Sequence, residues 1–175
     1  MSQLIAGRTI ACGEGGCSGG IAEALALANA CEVTSVQFDV DGIATGITME
    51  AAATFYLFDF KEETAVFNES GDNSGDSFAV TQTFEMIWRC RNHPDRNLIM
   101  DMANNLGGMV AIHVENTGVA WIWGYLNKQR VKLQTVESTS GAALLDANQT
   151  TLTLQAIAKE MAAEFGPGYA GIPLS

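Results

Sequence analysis

The chain is poor in basic residues: 9 Lys and Arg stand against 20 Asp and Glu in 175 residues, a formal net charge of −11. A conventional DNA- or RNA-binding module needs a basic footprint to neutralise phosphates, so the charge argues against that class. An acidic surface repels nucleic acid, which is useful where a surface lines a passage through which DNA must slide without sticking. Long apolar runs are missing too. No stretch approaches the roughly 18 residues a membrane-spanning helix requires, and the start, MSQLIAGRTIACGEGG, has no basic segment followed by a long apolar core. The expectation is a soluble, unexported protein with no membrane partner.

Motifs that carry chemistry are equally scarce. The cysteines lie at 12, 17, 31 and 90. Cys12 and Cys17 are flanked by glycines, and neither a CxxC pair nor a nearby histidine completes a zinc set. All four read as reduced thiols in a cytosolic product, and no metal is expected. The glycine-rich start lacks GK[ST] and a GxGxxG following a strand. Ser18 lies in C-S-G-G rather than in the G-x-S-x-G of a nucleophile elbow. Cys90 and His93 are three residues apart at a strand end and read as an incidental pair rather than a dyad. No catalytic residue and no cofactor are expected.

What is present is a hydrophobic content of 47%, enough to close a core in one domain spanning 1–175. Gly13, Gly15, Gly16, Gly19 and Gly20 make 1–20 a flexible segment, and Gly166-Pro167-Gly168 with Gly171-Ile172-Pro173 make 166–175 an extended tail. The organising stretch is 78–115. Phe78, Val80, Phe84, Met86 and Trp88 alternate with Ala79, Thr81, Thr83 and Glu85, the period of a strand with one covered face, and Gln82 is the one break. Asp95 is placed to cap a helix over about 95–106 with Leu98, Met102 and Leu106 on one stripe, ended by Gly107-Gly108. Val110, Ile112 and Val114 then resume period two, with His113 on the polar side. One short helix between long strands points to a mainly β (α+β) framework.

Elsewhere, IAEALALANA over 21–30 reads as helix by propensity or as strand by its leucines. Val36, Phe38 and Val40 alternate with Ser35, Gln37, Asp39 and Asp41, and a turn at Asp41-Gly42 leads to a return strand through Ile43, Thr45, Ile47 and Met49. The run 54–68 is the longest β-prone one, with Tyr56, Phe58 and Phe60 opposite Leu57, Asp59 and Lys61. ESGDNSGDS at 69–77 has pure turn composition and reads as the tip of a long hairpin arm around 60–85. The arm residues are Glu69, Ser70, Gly71, Asp72, Asn73, Ser74, Gly75, Asp76 and Ser77, and a neighbouring subunit is the natural partner for so exposed an edge. Further strands are read at 119–124, around the polar bend 127–130 and at 150–156, while 157–165 continues as strand or turns helical. Trp88, Trp121 and Trp123 read as packing residues. Asp39 and Asp41, about 7 Å apart on one strand face, suit an acid/base pair, a calcium ligand set, a solvated face or an acidic surface multiplied by oligomer symmetry.

Taken in order, C-x(4)-C-S-G-G-I, S-V-Q-F-D-V-D-G-I-A-T-G-I-T-M, F-Y-L-F-D-F-K-E-E-T-A-V-F, D-R-N-L-I-M-D-M-A, V-A-I-H-V-E-N-T-G-V-A-W-I-W-G and S-G-A-A-L-L-D-A-N-Q-T-T-L-T-L resemble a family of virion structural proteins of tailed bacteriophages, closest in role to the tail-tube subunit. The resemblance runs through nearly the whole chain as short motifs, and its bend Lys128-Gln129-Arg130 is more basic than that pattern. It implies an antiparallel β-sandwich or half-barrel with one flanking helix, and six copies closing rings that stack into a tube in the virion tail. The subunit would be made in the host cytoplasm, join other tail proteins, and let DNA pass through an acidic lumen without specific binding. Asp39, Asp41, Asp59, Glu62 and Glu63 are the lumen candidates by strand parity. A tail-terminator, neck or capsid-decorating protein is the alternative within that context. A small β-rich enzyme using Cys90 or the Asp39 and Asp41 pair is the alternative from another class.

Overall fold

A computed structural model describes residues 25–61, 63–74, 77–143 and 146–175. The glycine-rich segment 1–20, with Cys12 and Cys17, lies outside the described residues, as do Glu62, Gly75 and Asp76. The chain forms β1 (Leu25–Asn29), β2 (Val33–Phe38), β3 (Ala44–Met49), β4 (Tyr56–Phe58), β5 (Val66–Ser74) and β6 (Ser77–Arg89). After α1 (His93–Asn104) come β7 (Met109–Val114), β8 (Ala120–Trp123), β9 (Lys132–Thr139), β10 (Gln149–Ala158), β11 (Ala163–Glu164) and a 3-10 turn at Tyr169–Gly171. All the strand ladders are antiparallel, in the orders β11-β8-β7-β1-β4, β5-β6-β10-β9 and β2-β3.

Three layers result, because the five-stranded sheet is apolar on both faces. On one face, Leu25, Leu27, Phe58, Ala111 and Trp123 meet Phe84, Met86, Trp88, Leu152 and Leu154 of the four-stranded sheet. On the other, Ala26, Ala28, Val110, Ile112 and Ile122 are covered by Val33, Val36, Ile47 and Met49 of the β2–β3 hairpin, with Phe165 and Ile172. Each such large side chain taken fully from water contributes about 1.5–3 kcal/mol. The first two sheets form a sandwich that is stitched at two corners. Met109 and Val131 exchange backbone hydrogen bonds of 2.8 and 3.0 Å, and the Lys61 amide donates to the Ile87 carbonyl at 2.6 Å. The helix closes one end, with Met102 in the first core and Leu98 and Ile99 packed against it.

The expected β-rich architecture, flanking helix and hairpin are present, with local differences. Asn92, not Asp95, caps the helix: its side chain accepts from the Asp95 amide at 2.7 Å, with Pro94 in the first turn. The helix stops at Asn104, so Leu106 leaves the apolar stripe and is 74% exposed. Gln82 does not break β6; it is buried on the apolar face, and its amide donates to Glu69 Oε1 at 3.0 Å. The run 54–68 is two strands, because the chain crosses from one sheet to the other between Phe58 and Val66. Glu63 takes φ +54 within that crossing. Residues 69–74 are paired strand despite their turn composition. The residues 166–174 are tied down: Leu174 bridges Phe55, and Ile172 is buried.

Gly124, which follows β8, sits at φ +71, and a Cβ there would collide with Val131 Cγ2 at the corner joining the sheets. Gly118 has a similar φ of +84 but open space around it. Gly118→Ala is expected to lower stability by about 1 kcal/mol, the strain of left-handed backbone. Gly124→Ala adds the collision and is expected to lose clearly more, about 2 kcal/mol or above. Urea unfolding of both variants checks the difference.

Candidate functional site

The sheet edges are the first feature that stands outside the packed body. At the flanks of the five-stranded sheet, β4 and β11 have 3 and 2 residues. Leu174 bridges Phe55 beside β4, and Phe165 beside β11 bridges Ala44. The four-stranded sheet differs. Its flanking strands β5 and β9 have 9 and 8 residues, and among the described residues neither has a strand on its outer side. Long uncovered edges present a row of unpaired backbone groups, which proteins ordinarily blunt. Val66 on β5 and Val136 on β9 are large apolar residues left exposed. Counting through the antiparallel ladders, β5 and β9 run in opposite directions.

The hairpin β5–β6 is paired from Val66↔Glu85 to Ser74↔Ser77. β10 accompanies β6 as far as Ala158↔Val80, so the pairs Asp72↔Ala79, Asn73↔Phe78 and Ser74↔Ser77 project past it. Of the arm residues, Glu69 is engaged within its own subunit, where Oε1 accepts from the Ala162 amide at 2.6 Å and from Gln82. Ser70, Gly71, Asp72, Asn73 and Ser77 are exposed. The Phe78 ring lies over Gly71, where any Cβ would come within 2.8 Å of it, and the ring remains half exposed.

The acidic candidates do not form one strand face. β2 ends at Phe38, and Asp39 Oδ1 accepts from the amides of Asp41 and Ile43, both at 2.9 Å. This Asx turn captures the backbone and ends the ladder, so Asp39 and Asp41 share a turn rather than a strand face. Asp59 and Glu63 lie in the crossing between β4 and β5, Glu63 exposed and Asp59 half-buried. Among the described residues, no three His, Cys, Asp or Glu side chains are grouped to hold a metal ion.

Sequence reasoning missed where the cations gather. Lys128, Arg130 and Lys132 line a groove of about 320 Å³ with Ala30, Cys31, Leu106, Gly107 and Asn127. Arg130 is fixed there, its Nη1 donating to the Tyr125 carbonyl at 2.7 Å and the Gly124 carbonyl at 3.2 Å. A second groove, about 350 Å³, holds Arg91, His93 and Arg96 with Asn92, Ser140 and Asn148 at the start of the helix. The density of basic residues at 128–132 in a chain with only 9 was the available signal. Cys90, at φ +56, and His93 are both exposed, and neither lies in a buried reactive setting.

His113 is not on a polar side, because β7 is buried on both faces. Its ring sits 4.3 Å from that of Phe67 and 5.5 Å from that of Phe84, and neither ring nitrogen has a hydrogen-bond partner. Desolvation alone lowers its pKa from 6.5 to about 4. The unfolded chain therefore binds the proton more readily, so this contribution is complete above about pH 6.5 and is lost as pH falls towards 4. The lowering corresponds to about 3 kcal/mol of stability lost across that window. Denaturant unfolding at pH 7 and pH 4.5 is expected to show a smaller loss for His113→Leu than for the parent chain. Equal losses would place the acid sensitivity elsewhere.

The three tryptophans pack as expected, Trp88 and Trp123 inside the first core and Trp121 against it. No protein-family model, curated protein or solved structure matches this chain.

Proposed function

We propose that this chain is a structural subunit that self-assembles side by side into rings, and that stacked rings form the tail tube of a tailed bacteriophage. The observation that carries the reading is the four-stranded sheet whose long flanking strands have, among the described residues, no strand on their outer side. Because those strands run in opposite directions, copies set side by side continue one antiparallel sheet from β9 of one to β5 of the next. The two surfaces differ, so the contact is heterologous and closes a ring when its rotation allows. The order of short motifs along the chain supports the same assignment, and six copies per ring is the number it implies. Function is then mechanical and electrostatic, with no substrate turned over. Other tail proteins meet the tube, and DNA moves through it unbound.

On this reading Asp39, Asp41, Asp59 and Glu63 line the passage and repel phosphates. Replacing them by Asn or Gln is expected to leave assembly intact and to slow DNA release from virions carrying the variant; normal release would remove these acids from the lumen. The assembly itself is tested by negative-stain electron microscopy of the purified chain over a concentration series. Hollow rings or tubes are expected, with single rings pointing instead to a terminator. The Val66→Lys and Val136→Lys variants, folded by circular dichroism, are expected to give none, since an edge charge opposes strand addition. A parent chain that stays monomeric at high concentration would overturn the reading.

A further inference from the structure

We propose that the projecting end of the β5–β6 hairpin of one copy, at Asp72 and Phe78, docks into the basic groove beside Leu106 on a second copy. The inference rests on the self-assembly reading above and names a surface that the edge strands alone do not.

Charge is unevenly divided in this chain. From Glu62 to Trp88 there is no Lys or Arg, and the exposed acid Asp72 lies in the projecting part of the hairpin. The groove presents the opposite sign, with Lys128, Arg130 and Lys132 among its lining residues. In a molecule of net charge −11, two copies repel on average, so association needs a local match of this kind. Arg130 is held in place by its two backbone acceptors, which reduces the entropy lost when a partner arrives.

An apolar pair accompanies the charges. The groove carries Leu106, 74% exposed, and the hairpin tip carries Phe78, 49% exposed, next to Asp72↔Ala79 in the ladder. An exposed aromatic beside an acid on one surface and an exposed leucine among cations on another match in both respects.

The topology puts the two surfaces where side-by-side copies bring them together. Val80, at the base of the tip, pairs with Ala158, and Lys132, at the groove, pairs with Gln155, three residues away on the same strand. Tip and groove therefore sit at the same end of the four-stranded sheet, on opposite flanks. A neighbour displaced sideways, without being inverted, meets the tip of one copy with the groove of the next, and each copy still has one of each to offer.

Sedimentation velocity of the full chain and two variants tests this: Lys128→Glu with Lys132→Glu in the groove, and Asp72→Lys at the tip. The parent is expected to associate at about 50 mM salt and at least about tenfold more weakly at about 500 mM, as screening shortens the reach of charges. Each variant alone is expected to stay dissociated, and an equimolar mixture of the two to associate, because the reversed tip meets the reversed groove. Recovery in the mixture also shows that both variants are folded. Variants that associate like the parent would overturn this surface while leaving self-assembly standing. Variants that fail separately and in mixture would overturn the pairing of these residues. A parent that never associates would overturn the self-assembly reading and this proposal together.

Discussion

The double burial of β1 and β7 is the constraint on which the rest of the structure depends. A sheet that is apolar on both faces needs a layer on each side. One side is supplied by the four-stranded sheet, the other by the β2–β3 hairpin and residues 165–174. The short flanking strands of the central sheet are then met by Leu174 and Ala44, segments belonging to that second layer. Among the described residues, no strand gives the flanks of the four-stranded sheet such cover. Its inner face is filled, but its flanks β5 and β9 remain long and open. The same packing that finishes the body leaves two edges to be finished by something else.

Electrostatics decides what that can be. Strong net negative charge keeps copies apart at long range and disfavours nucleic acid as a ligand. At short range the picture is local: five of the Lys and Arg residues line two grooves that flank the helix, while the hairpin has none between Lys61 and Arg89. A surface divided in this way favours contact between unlike patches, as in the head-to-tail arrangement proposed above.

The sequence was legible where one face of an element is covered. β6 shows its period clearly because its other face is wet, and the turn residues around Pro94 marked the helix to within two positions. LALAN was ambiguous because both faces of β1 are buried, and periodicity then carries no information. The same assumption of a polar face misplaced His113. The 54–68 run hid a change of sheet because no glycine or proline marks the crossing; Glu63 absorbs the turn in a left-handed conformation instead. ESGDNS forms strand against its composition because β6 supplies the ladder for every residue of it. The cations of the basic groove are clustered in the sequence at 128–132, but the groove itself needs Leu106 at the helix end brought to Lys128, Arg130 and Lys132 across the Met109–Val131 corner.

Hydrogen exchange measured by mass spectrometry, on dilute and concentrated samples of the same chain, tests most directly the claim that the open flanks are the assembly surfaces. Outward amides of Val66–Ser74 and Lys132–Thr139 are expected to exchange quickly when dilute and to become protected on concentration, while those of β1 and β7 are slow in both. Unchanged exchange at β5 and β9 while the particles grow, or new protection confined to other segments, would contradict it.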